Sequence, residues 1–231
     1  MAVNLLLAMD SVGPSLSVAI AKGGEIVYEA FQRTGLTHSQ RLLPLIDDAL
    51  VSLGIEVAQL DALAVTVGPG SFTGVRIGVE TAKALAHALE IPCVPVNALE
   101  AIAYGARFFG GPVCPLQDAR AGQVYCAVYR SGECILPDSA LKLDDFLAAL
   151  PQEPCCFLGD GALKHREAIA ARLGARACFA PPSDINLRAA AVASLALLRP
   201  ETALPWHGVM PYYLRKPQAE REREAREAAH A

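Results

Sequence analysis

The chain has 231 residues, 53% of them hydrophobic and 19% charged, with a formal net charge of −4. That length can bury a full core, as one large domain or two small ones, while the acidic balance excludes a protein that grips nucleic acid unaided, which needs a basic stripe against the phosphates. No apolar run approaches the roughly 20 residues of a membrane span, and "VNLLLAM" meets Asp10 too soon for a secretory leader, so a soluble cytoplasmic chain is expected.

"NLLLAMD" is a short apolar run ending at Asp10, as a buried strand reads. "SLSVAIAK" alternates and turns through "KGGE" into "IVYEAFQR", which predicts three strands joined by hairpins. "THSQRLLPLIDDALVSLG" predicts a helix capped by Thr37 or Ser39, closed at Gly54 and bent in its first turns by Pro44, with Leu42, Leu45, Ile46, Ala49, Leu50 and Leu53 on one stripe. A strand "LDALAVTVG", a helix over residues 74–89, a strand "PCVPV" and a helix "ALEAIAYGARF" follow. Three antiparallel strands followed by parallel crossovers are the order of a ribonuclease-H-like unit, and actin-like proteins pair two such units around a cleft. The expected class is therefore α/β, actin-like, with subdomains at 1–108 and 109–217 divided at "FFGGPVC". The second half predicts strands at "CPLQDAR", "QVYCAVYR" and "GECIL", then a helix "LDDFLAAL". A strand, glycine turn and helix follow in "PCCFLGDGALKHREAIAARLG", and "INLRAAAVASLALLRP" is a last helix closed by Pro200. Residues 218–231 alternate charge without an apolar stripe, as a solvated or disordered tail does.

"TVGPGSFTGVRIGVETAKALAHAL" resembles a phosphate cradle. A Walker loop requires glycine five residues before Gly74 and lysine after it, but Pro69 and Val75 stand there; a dinucleotide fingerprint fails too, its third glycine coming late. Small residues instead recur every four positions at Gly74, Gly78, Ala82 and Ala86, which makes a smooth helix face for close packing on the preceding helix or on another chain. The loop still offers free amides at a helix start, where an anion is stabilised. The residues that would touch such an anion or a nucleotide are Asp10, Ser11, Gly70, Ser71 and Asp118. Asp10 and Asp118 each end a strand and would either hold hydrated magnesium across a cleft or cap their own turns.

The seven cysteines are scattered without a Cys-x-x-Cys pair, so they read as small buried hydrophobes of a reducing compartment. His38, His87, His165, His207 and His230 share no ligand spacing, and no Ser-His-Asp set can be argued. Arg120 of "DARAGQ" is an ion-pair partner or a contact for a second subunit.

The glycine stretch, "LLLAMDSVGPSLSVAI", "THSQRLLPLIDDAL", "IPCVPVNALEAIA", "LQDARAGQVYCAVY" and "PYYLRKPQAE" together resemble the TsaB (YeaZ) family across most of the chain, although that family's usual Asp-Thr-Ser opening is Asp10-Ser11-Val12 here. The resemblance implies a non-catalytic subunit that works beside a TsaD-type catalytic subunit in making threonylcarbamoyladenosine at position 37 of tRNA. It also implies a TsaE-type ATPase in the complex, no autonomous tRNA binding, no tightly bound cofactor, and ATP or ADP only in the assembly. The two metal-ligand histidines of the TsaD type fall on Ala98 and Ile102, whose side chains have no lone pair to give, which also speaks against a metallopeptidase. A partner surface is expected from His38, Arg41, Leu42, Leu45, Ile46, Gly74, Arg76, Gly78, Ala82 and Ala86, used for a symmetric homodimer when the chain is alone. The alternative is an actin-like ATPase or small-molecule kinase that binds nucleotide by itself.

Overall fold

A computed structural model describes residues 3–33 and 37–215; the charged tail expected from residue 218 lies outside them. The apolar run opens the fold as β1 (Leu5–Asp10), pairs antiparallel with β2 (Leu16–Lys22), and β2 pairs in turn with β3 (Glu25–Gln32). After α1 (His38–Leu53) the chain enters β4 (Ala62–Gly68), parallel to β1, then α2 (Phe72–Leu89), the parallel β5 (Cys93–Asn97) and α3 (Ala98–Tyr104). The sheet order is β3-β2-β1-β4-β5. Every residue of β1 and β4 is buried, which explains why they are continuous apolar runs: helices cover both faces of the sheet. α1 and α2 pack together over one face. On the other, α3 lies beside the last α-helix among the described residues.

Beyond Gly110 and Gly111 the same topology recurs. β6 (Val113–Asp118), β7 (Gln123–Arg130) and β8 (Glu133–Lys142) are antiparallel neighbours, and β9 (Cys155–Leu158) and β10 (Ala177–Phe179) extend β6 in parallel. The order β10-β9-β6-β7-β8 is the first sheet's order read from its other edge. Alternate residues of these strands face opposite ways. Cys114, Leu116, Val124, Cys126 and Phe157 form a core with α4 (Leu143–Ala148) and α6 (Arg166–Leu173), whereas Val113, Ala127, Tyr129 and Leu158 join the first unit's core. α3 thus sits between the two sheets.

The structure revises several expected elements. α1 is capped at its end by Gly54 in the left-handed region (φ 62°), but Thr37 at its start makes no side-chain capping bond and Ser39 lies inside the helix. Pro44 sits on the exposed face of an unbroken helix. β8 runs well past "GECIL", and the expected helix after Gly159 is two, α5 (Asp160–Lys164) and α6, parted at His165. β10, three residues long, carries no sequence signal. The last helix, α7 (Ala189–Leu198), begins later than expected and packs on β1, β2 and β3, its start held by Glu29, which accepts the Ala190 amide (3.0 Å) and pairs with Arg188 (2.7 Å). The division 1–108/109–217 is therefore corrected: the second unit is the sheet of residues 113–179, and residues from α7 to 215 return to the first. No described helix is long and apolar enough to cross a membrane.

Candidate functional site

The two units meet in a cleft of about 230 Å³, lined by Val12, Gly13 and Pro14, Gly70 and Ser71, Gln117, Asp118 and Arg120, and Asp160. Asp10 and Asp118 occupy equivalent places, each the last residue of the first strand of its sheet. Each accepts the backbone amide two residues on: Val12 N–H to Asp10 Oδ1 at 3.2 Å and Arg120 N–H to Asp118 Oδ1 at 3.0 Å. Both therefore cap their own turns. Beyond this their roles diverge. Asp118 borders the cleft and pairs with Lys164 at 2.6 Å. Asp10 is wholly buried; Thr66 Oγ1 donates to its Oδ1 at 2.6 Å, and its Oδ2 has no partner among the described residues. Burial pushes its carboxyl up from the ordinary 3.8 to about 6, against the opposing hydrogen bonds from Thr66 and Val12. Asp10 thus does not line the cleft, and the two carboxylates are not set to grip one ion between them.

Ser11 is likewise turned inward: its hydroxyl donates to the Gly74 carbonyl at 2.8 Å. The Ser71 amide bonds the Val12 carbonyl, and the Ser71 hydroxyl accepts the Gly74 amide at the start of α2. The glycines of the loop are packing devices. A Cβ on Gly70 would stand 2.7 Å from the Val12 carbonyl oxygen, and one on Gly74 would stand 2.1 Å from that of Ser11. The loop lies against the β1–β2 turn and leaves only Gly70 and Ser71 at the cleft edge.

The same packing corrects the expected partner surface. Gly74, Gly78, Ala82 and Ala86 are buried, and a Cβ on Gly78 would meet Ser11 Oγ at 2.5 Å and Val65 Cγ2 at 3.5 Å. The smooth face lets α2 approach its own sheet. Leu42, Leu45 and Ile46 are buried in the same core. His38 bonds the Gly13 carbonyl (2.8 Å) and Arg41 the Gln32 side chain (3.2 Å). Of the expected set, Arg76 is exposed at the surface but engaged there, its guanidinium 4.1 Å from the centre of the Phe72 ring and its Nε donating to the Tyr213 hydroxyl (3.2 Å). What the α1–α2 layer does present outward is Leu43 (56% exposed), Val51 (71%), Asp47 and Asp48.

Residues 204–215, which carry no periodic pattern, form a strap. Leu204 bridges Cys93 beside β5, the Tyr212 amide bonds the Val67 carbonyl (2.7 Å), Tyr213 stacks on Phe72 (4.9 Å), and Arg215 donates to the Ala119 carbonyl (2.9 Å). The strap thereby ties the first unit to the turn after β6. Arg120, in that turn with φ 62°, makes no ion pair among the described residues. The helix start at Asn97 is a cap, its Oδ1 accepting the Leu99 (2.8 Å) and Glu100 (3.1 Å) amides. Ala98 and Ile102 after it are core residues, so these positions do not fit a metal, and no metallopeptidase site is built there. Thr66 and Gln117, near the ends of β4 and β6, Asp160, just after β9, and Lys164, at the end of α5, carry no sequence motif that marks them.

Two ribonuclease-H-like sheets of matching order around a cleft define a protein of the actin-like class. Component A of (R)-2-hydroxyglutaryl-CoA dehydratase from Acidaminococcus fermentans shares this fold at 13% identity, with a TM-score of 0.53 over 85% of this chain and 98% of that one. Residues 32–222 match the family described as "TsaD: tRNA N6-adenosine threonylcarbamoyltransferase". The chain is 34% identical to the tRNA threonylcarbamoyladenosine biosynthesis protein TsaB of Bacillus subtilis, over 93% of this chain and 96% of that one. It superposes on YeaZ from Pseudomonas aeruginosa with a TM-score of 0.76 at 28% identity, covering 91% of this chain and all of the other. The chain belongs to the TsaB family of tRNA threonylcarbamoyladenosine biosynthesis proteins.

Proposed function

We propose that this chain is a non-catalytic subunit of the cytoplasmic machinery that places threonylcarbamoyl on adenosine 37 of tRNA, acting beside a TsaD-type catalytic subunit. The observation that carries the non-catalytic part is the packing at Ala98 and Ile102: the positions where a TsaD-type site would hold its metal are filled by buried apolar side chains. The cleft supports the same reading. Asp118 is neutralised by Lys164, and Asp10 lies behind the strand end rather than facing the cleft. ATP or ADP is expected only when a partner completes the site, and a TsaE-type ATPase is the expected source of nucleotide turnover.

The partner surface is the outer side of the α1–α2 layer, around Leu43 and Val51, which in the isolated chain forms a two-fold homodimer contact. Co-purification with a TsaD-type subunit, followed by a tRNA modification assay with and without this chain, tests the proposal. Modification should require both subunits. Undiminished modification without this chain overturns the role, and ATP turnover by the chain alone overturns its non-catalytic status in favour of an autonomous ATPase.

A further inference from the structure

A second pocket, of about 140 Å³, lies on a different part of the molecule, between α3, the end of α7 and the β7–β8 turn. Its walls are apolar: Ala103, Val113, Leu195 and Leu198, with the Tyr104 and Tyr129 rings. That volume matches cavities that take a single benzene-sized group. Three charged residues line the rim, and the Asp138 carboxylate lies near enough to act on Tyr129. Glu100 is held in a two-pronged ion pair by Arg199. The Arg107 guanidinium stands 4.3 Å from the centre of the Tyr104 ring and 4.4 Å from that of Phe108; among the described residues its side chain donates to the Tyr104 carbonyl (3.0 Å) and meets no carboxylate. The Tyr129 hydroxyl has no hydrogen bond among the described residues. Like any phenol it carries its proton at neutral pH, and burial, then the Asp138 charge, pushes its pKa further up. One unpaired cation and one unpaired hydroxyl donor thus border an apolar slot in a chain whose net charge is −4.

We propose that this pocket binds a small organic carboxylate carrying one ring-sized or branched apolar group, its carboxylate held by Arg107 and Tyr129 and its apolar part between Leu195, Leu198 and Val113. Complementary charge selects the anion, and the pocket size limits the apolar part. The walls come from both units, with α3 between the two sheets, so a bound acid would tie the units together. The site is independent of the role proposed in tRNA modification.

Phenylacetate, isovalerate and the neutral phenylacetamide, titrated into the full chain and followed by methyl NMR, test it. Both acids should give saturable shifts at Ala103, Val113, Leu195 and Leu198, with a Kd of about 1 mM or tighter. The amide should bind about tenfold more weakly. Arg107 is exposed, so Arg107→Gln should melt like the wild type yet bind phenylacetate no better than the amide. Tyr129→Phe should weaken both acids. Shifts that do not saturate or that fall elsewhere overturn the proposal. So does equal binding of acid and amide, or acid binding that survives Arg107→Gln.

Discussion

Asp10 shows how a carboxylate at a strand end can be mistaken for a site residue. In the sequence it looks the same as Asp118: an acid closing an apolar run. Only the fold separates them, by covering one with the α2 loop and leaving the other at the cleft beside Lys164. The burial of Asp10 has a thermodynamic signature. Its folded-state pKa is raised to about 6 from 3.8, so between those values the folded chain holds the proton more tightly than the unfolded chain. Stability is then full below about pH 4, falls as pH rises toward 6, and is level above. At about 1.4 kcal/mol for each tenfold change in proton affinity, the displacement amounts to about 3 kcal/mol. Asp10→Asn keeps an oxygen to accept from Thr66 and Val12 and carries no charge. Urea unfolding from pH 4 to 7.5 should therefore show the variant gaining on the wild type by up to that amount as pH rises. A difference that does not change with pH would mean that Asp10 titrates as an ordinary surface acid.

The helices were the most legible elements. Leu42, Leu45, Ile46, Ala49 and Leu50 lie on the expected side of α1, and α2 spans the expected region with Ser71 added as its cap. Which way α2 turns its small residues was not legible. Gly74 and Gly78 adjoin Val75 and Val79 on the helical wheel, and a stripe of small side chains serves close contact equally well inside the chain or outside it. The answer lies just after β1, where the Ser11 backbone comes so close that no Cβ fits. Gly74→Ala should thus destabilise the chain by about 1–3 kcal/mol through overpacking, although alanine favours a helix interior by about 1 kcal/mol; a raised melting temperature would contradict the packing. The strap was illegible because extended segments held by single backbone bonds and ring stacking have no period. Tyr213→Ala removes the ring on Phe72 and the partner of Arg76. It should leave global stability within about 1.5 kcal/mol of wild type and speed amide exchange at Tyr212; unchanged exchange would show that the stack does not hold the strap.

Over the whole molecule, the order of elements pointed to two matching units, but where the second one ends did not show, because α7 is apolar all round and would suit either sheet. The outer surface of the α1–α2 layer is where association is expected. Leu43→Asp with Val51→Asp places charges on two exposed positions, so melting should not change, while affinity for a TsaD-type subunit should drop about tenfold or more. Retained affinity would move the interface elsewhere. The return of α7 and the strap to the first sheet also bears on how the chain is made. During synthesis the β1–β2–β3 face emerges early and stays bare until residues 189–198 leave the ribosome, so the first-made half is the last to be finished. A fragment of residues 1–108 produced alone should collect in the insoluble fraction, and joining residues 189–215 to it should bring it back into solution. If the fragment is soluble and monomeric unaided, the returning segment is an ornament of the first unit; otherwise that segment is a lid the nascent chain must wait for, and the interval before it arrives is when the growing polypeptide most needs a chaperone.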